Sequence, residues 1–299
     1  MGTAKRTVDP PPIHGNQKLD WYDFDQFLQA FDDGLTDDSV NFATQLMRIL
    51  TWLELVEQSQ FSTVRGNKLR DYLRTLTQAA ARAQPDSDLP VLKPSRIGRV
   101  MFRQTVAHLL RHDTEATIRG GMRERMRLLK TGLQFTLGIG NIPQLPDPAS
   151  VVKVFGSHSG PADSDHTTGL IRKSREPSFR DIEAAFGGRT PEIDRLMVRY
   201  FRVKLQGLHF CGLANFQLSL LDGFHSLALM YPAALWVARI RAACHGRKQL
   251  ELTDVQAALA TIDHNYAYSP ALGTPSSISR LQLLARSQQI TRLCGWYSQ

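Results

Sequence analysis

The chain has 299 residues, enough for one large domain or two ordinary ones. Its 42% hydrophobic and 21% charged residues place it with globular proteins that bury a core, and exclude a collagen-like, low-complexity or wholly disordered chain. A formal charge of +8 favours anionic partners, and three cysteines with no C-x-x-C pair (Cys211, Cys244, Cys294) exclude a disulfide framework or a structural zinc site of their own and suit a reducing cytoplasm.

Residues 1–18, "MGTAKRTVDPPPIHGNQK", lack an apolar run and carry three successive prolines, so they read as a disordered leader or linker and not as an export signal. Asp20 is placed as the N-cap of a first helix whose apolar face is Trp21, Phe24, Leu28 and Phe31. A second helix carries Leu46, Ile49, Leu50 and Leu53, and a third Leu69, Tyr72, Leu73 and Leu76, which closes an N-terminal helical subdomain at about residues 19–82. The stretch "RAQPDSDLPVLKPS" has three prolines and reads as a linker to a main domain at 95–299. Ser95 caps the next helix, with Ile97, Val100, Met101 and Leu109 inward. Another helix is expected from about Thr117 to Leu137, its stripe of Met122, Met126, Leu129 and Leu133 expected in the core.

Between 138 and 177 the periodicity collapses into a long irregular loop, with "VVKVF" as a short strand and 156–177 as a mobile segment; His158, Asp163, Asp165 and His166 there lack the rigid scaffold of a metal site. Ser178 then caps "FRDIEAAF", closed by Gly187 and Gly188; Thr190-Pro191 opens a further helix; Thr253 and Gln256 read as a capping box; and a last helix follows Ser276 and Ser277. The class is all-α: a multi-helix bundle.

"LLDGFHSLALMYPAALWVARI", from Leu220, is the most apolar stretch. About 20 residues of helix equal the ~30 Å of a bilayer core, so length alone decides nothing. His225 and Ser226 at one end, Arg239 and Arg241 at the other, and Asp222 inside argue against a membrane span and for the buried central helix of the bundle. Asp222 is read as the N-cap of this helix; three residues before His225, it also makes a carboxylate–imidazole pair, a candidate acid–base site.

Other candidates are surface clusters. Arg199, Tyr200 and Lys204 share one helix, and Asp263 and His264 sit at a helix end where an imidazole meets the negative end of the dipole. Arg119, Arg123 and Arg127 recur every four residues in a basic middle, a face able to track phosphates or an acidic protein.

The phrases "RYFRVKLQGLHFCG", "LLDGFHSLALMYPAALWVARIRA", "LTDVQAALATIDHNYAYSPALG" and "RLCGWYS", with "LDWYDFDQFLQAF" and "SRIGRVMFRQTVAHLLRHD" before them, resemble the C-terminal helical part of the flagellin lysine-N-methylase-like, cysteine-cluster proteins. The resemblance covers nearly the whole chain from Leu19. It implies methyl transfer to a lysine of a flagellin-like protein substrate, with S-adenosylmethionine as donor and a metal or iron–sulfur centre held by a cysteine-rich N-terminal segment. That segment has no counterpart here, and the spacing of Cys211, Cys244 and Cys294 does not supply one. The expectation is therefore a substrate- or partner-binding helical part, inactive alone, left from a longer protein or from a relative that lost the cluster. The alternative is a non-enzymatic basic module that binds nucleic acid or an acidic protein.

Overall fold

The computed structural model describes residues 8–15, 17–37, 39–59, 63–83, 93–110, 121–142 and 177–299. Among these it is all-α, with four isolated β-bridges and no strands. The helices are α1 (Trp21–Asp33), α2 (Phe42–Gln58), α3 (Gly66–Ala83), α4 (Arg96–Leu109), α5 (Met122–Leu137), α6 (Phe179–Glu183), α7 (Pro191–Gln206), α8 (Leu220–Cys244), α9 (Leu252–Asp263), α10 (Pro275–Arg286) and α11 (Gln289–Tyr297).

Helix α8 is the axis. Twenty of its 25 residues are buried, because it is apolar on every side and must be wrapped. Helices α2, α6, α9, α10 and α11 all pack on it. By length and composition it is apolar enough to cross a membrane, yet 83% of its most apolar 18 residues are covered by the protein itself. Its first half is held by rings: Phe224 stacks on Phe31 (4.4 Å between centroids) and Phe210 (4.9 Å), and Tyr231 meets Phe42 edge-on at 5.0 Å. Pro232 has no N–H to give to the Ala228 carbonyl one turn back; the Cys294 thiol of α11 lies 4.0 Å from that oxygen.

Several local expectations change. The α8 N-cap is Ser219, whose hydroxyl accepts from the Asp222 N–H at 3.2 Å; Asp222 is in the first turn, not at the cap. A serine cap one turn earlier lets the apolar Leu220 and Leu221 join the buried helix. In α9 the capping box is Glu251 with Asp254, and not Thr253 with Gln256. Thr274 caps α10, and the expected single last helix is two, parted at Gln288 (φ 53°). Helix α6 ends at Glu183, with Ala184 as its C-cap, short of Gly187 and Gly188. The caps at Asp20, Ser95 and Ser178 and the Pro191 helix start stand as read.

The largest correction concerns α5. Met122, Met126 and Leu133 are 76%, 59% and 58% exposed, so the expected core stripe faces outward. Phe135 carries the burial instead, packed edge-on against Phe179 and tilted against Trp236. Helical periodicity marks a face; it does not say that anything covers it. Ile97 on α4, also read as inward, is exposed. The part of this helix expected from Thr117 to Gly120, the strand "VVKVF" and the loop histidines and aspartates at 158–166 lie outside the described residues.

The leader read as disordered is packed where it is described. Ile13 is fully buried, and the Pro12 and Ile13 carbonyls accept from the Leu220 and Leu221 N–H groups. These are the donors that the start of a helix leaves unpaired. Helices from both sides of the expected linker contribute to one hydrophobic core, from Phe24 to Tyr297.

Candidate functional site

The first candidate is the polar end of α8. Ser219 and Gln282 (α10) both donate to the Asp222 carboxylate, at 2.9 and 3.1 Å. His225, one turn on, points elsewhere. Its ring faces a cavity of about 200 Å3 between α2, α8 and the α10–α11 junction, lined by Glu54, Glu57, His225, Arg286, Gln288 and Thr291 among others. His225 Nδ1 is buried and makes no hydrogen bond; Glu57 Oε1, the nearest carboxylate, is 3.6 Å away. Burial pushes this imidazole down to about 4, against the pull of Asp222, so the ring is neutral near pH 7. Burial raises the Glu57 carboxyl above the usual carboxylate range, opposed by His14 and helped by Asp222. Glu54, on the same wall, takes the Gln288 amide on both oxygens at 2.8 and 3.0 Å. Asp222, paired with His225 in the sequence reading, acts on the imidazole through its charge, while its carboxylate accepts from Ser219 and Gln282. The carboxylate nearest the ring is that of Glu57, 168 positions earlier in the chain, which only tertiary folding brings there.

The second candidate joins two groups that lie far apart in the sequence. Lys204 Nζ lies 2.6 Å from Asp263 Oδ1, and the Tyr200 hydroxyl donates to the same oxygen at 2.7 Å. The ammonium stands 5.5 Å from the ring centres of both Tyr200 and Tyr266. Helix α7 presents Tyr200 and Lys204 one turn apart to the C-terminal end of α9. With Lys204 buried, its cation already has a carboxylate and two ring faces, which makes the cluster a clasp between helices. Burial and the Asp263 charge push the Tyr200 hydroxyl far above its ordinary value, so it remains a donor. Arg199 and His264 are exposed at the margins, and His264 is the C-cap of α9. Beside Tyr266 lies a small apolar cavity of about 40 Å3 against Leu229, Met230 and Ile278.

The third candidate is α5. Arg123 and Arg127 lie on it, one turn apart, and Arg119 lies outside the described residues.

No group of three or more His, Cys, Asp or Glu side chains that could hold a metal ion occurs among the described residues. Cys211 and Cys294 are buried, and burial pushes the Cys211 thiol up to about 12, which keeps it protonated and unreactive. The chain matches no protein-family model, no curated protein and no solved structure.

Proposed function

We propose that the chain is a helical binding module that takes an acidic protein partner on the outer face of α5. One observation carries the reading: the exposed apolar row of Met122, Met126, Leu133 and Leu137, which at 100° per residue spans only about 60° of the helix surface. An exposed apolar row of this kind marks an interaction site more often than scattered single residues do. Methionine suits such a face, being flexible and able to repack against more than one shape. The same helix has Arg123, Arg125, Arg127 and Lys130 against one acid, Glu124, so a partner with carboxylates around an apolar stripe is complementary to it. A face that only tracked phosphates would have the cations without the methionines, and this favours protein over nucleic acid. If the resemblance to the lysine N-methylase-like proteins is carried over, the bound partner is the protein substrate, a flagellin-like one by that resemblance, and any S-adenosylmethionine or metal centre belongs to another segment.

The test uses a synthetic amphipathic peptide with leucines at helical spacing and glutamates elsewhere. Saturable binding is expected for the parent chain and is lost in the triple variant Met122→Gln, Met126→Gln, Leu133→Gln, whose far-ultraviolet circular dichroism and melting temperature stay unchanged. Equal binding by the triple variant, or none by the parent, overturns the proposal. Steeply salt-dependent binding of duplex DNA that the triple variant keeps would replace it with the nucleic-acid reading.

A further inference from the structure

The cavity beside the C-terminal end of α2 is not used by the partner-binding reading and stands on its own observations. A partly open space of about 200 Å3 is larger than the roughly 150 Å3 cavity that accommodates benzene, so it has room for a solute of about eight non-hydrogen atoms. Its walls are polar and unequal. On one side α2 brings Glu54 and Glu57, three residues apart and so on one helical face, while Asp222 adds negative field from the start of α8. Arg286, at the end of α10, and the His225 ring, whose Nδ1 is 3.6 Å from Glu57, also line it.

The His225 Nδ1 is the informative atom. Its side chain is 7% exposed, its nitrogen has no hydrogen-bond partner, and 3.6 Å to Glu57 is too long for a hydrogen bond. A buried polar atom left without a partner is destabilising by itself, and groups of this kind are normally met by protein, water or a ligand. A carboxylate and an imidazole that face one cavity without closing on each other leave a place for a third group that bridges them. That group must donate to the Glu57 oxygen and satisfy the imidazole, which a primary ammonium with three N–H donors does. Arg286, an exposed guanidinium on the same lining, offers a cationic fork to an acceptor with two oxygens.

We infer that this cavity binds a small zwitterion, with its ammonium between Glu57 and His225 and its carboxylate toward Arg286. The two charges of such a solute are complementary in sign to the carboxylates and the guanidinium of the lining, and a chain of about four carbons fits within the volume. Glu54, whose oxygens are engaged by Gln288, lines the same cavity one turn before Glu57.

The experiment uses the full chain and three probes of equal carbon count: 4-aminobutyrate, n-butylammonium and butyrate. Binding is read by calorimetry and by the ring-proton resonance of His225, assigned by its disappearance in His225→Gln. The expected result is saturable binding of 4-aminobutyrate that shifts the His225 resonance, at least tenfold weaker binding of either single-charge probe, and tenfold or greater weakening by Glu57→Gln and by Arg286→Met. Both variants replace side chains at the cavity rim and are checked for an unchanged melting temperature; a variant that melts early is replaced by Glu57→Asp or Arg286→Lys, for which a smaller loss in the same direction is expected. Absence of saturable binding at 10 mM or below, on the order of a very weak site, overturns the inference. So does tighter binding of butyrate, affinity for 4-aminobutyrate unchanged by Glu57→Gln, or a His225 shift produced by Zn2+ alone and not by the amine. None of these outcomes touches the α5 face, whose test reads a different surface.

Discussion

Arg239 is the substitution with the largest expected effect on stability. It sits in the last third of α8 and is 1% exposed. Its Nη1 donates to the Ile182 and Ala184 carbonyls at 3.1 and 3.0 Å, and its Nη2 to the Tyr297 and Gln299 carbonyls at 3.0 and 2.8 Å. The guanidinium lies 5.3 Å from the Phe186 ring centre and 5.1 Å from that of Tyr297. One side chain thus ties the end of α6 and the end of α11 to the central helix, and burial lowers its pKa only to about 10, so it stays charged. In Arg239→Met the apolar stem is kept and the four donors are removed. The Ile182 and Tyr297 bonds are buried, so those two carbonyls are left without water or partner, at about 1–3 kcal/mol each. Relief of the arginine's own desolvation offsets part of that. The net loss is about 2–4 kcal/mol, measured by urea unfolding followed at 222 nm, with amide exchange accelerated in α11 and around Ala184. A variant within about 0.5 kcal/mol of the parent would refute the assignment, since that is the scatter of a surface change.

Three further outcomes are expected. His225 binds its proton at about 4 in the folded chain and near 6.5 when unfolded, so its contribution is fully present above pH 6.5 and is lost as pH falls toward 4. That loss is about 3 kcal/mol; parallel pH–stability curves for the parent and His225→Gln would contradict it. Gly223→Ala puts a Cβ 2.6 Å from the Phe210 carbonyl oxygen and 2.7 Å from Cys211 Cβ, neither of which is a flexible side-chain end; overpacking of roughly 1–3 kcal/mol should appear as a lower urea midpoint. Lys204→Met leaves Asp263 with only the Tyr200 hydroxyl, and a double-mutant cycle with Asp263→Asn should give a coupling of about 1–3 kcal/mol, where zero coupling would make the clasp incidental.

The periodicity of Phe24, Leu28 and Phe31, or of Leu46, Ile49 and Leu53, depends on neighbours three and four residues away. It could therefore be read directly, as could the caps at Asp20, Ser95 and Ser178, whose partners lie within one turn. The apolar circumference of α8 likewise required that other helices surround it. What no local pattern held was which face stays open and which distant residues meet. The Met122–Met126–Leu133 stripe has the spacing of a core face, and only the positions of the other helices leave it in solvent. Asp222 looked like the partner of His225 because it is near in sequence, whereas the ring turns toward Glu57 of α2. Arg239 read as the polar end of an apolar run, and became a buried anchor because two chain segments bring four carbonyls to it. Helix type and the need for burial are set by short-range geometry and solvent transfer, which a sequence carries residue by residue. A binding cavity or a buried cation is set by contacts between residues far apart in the chain, and those exist only once the helices have packed.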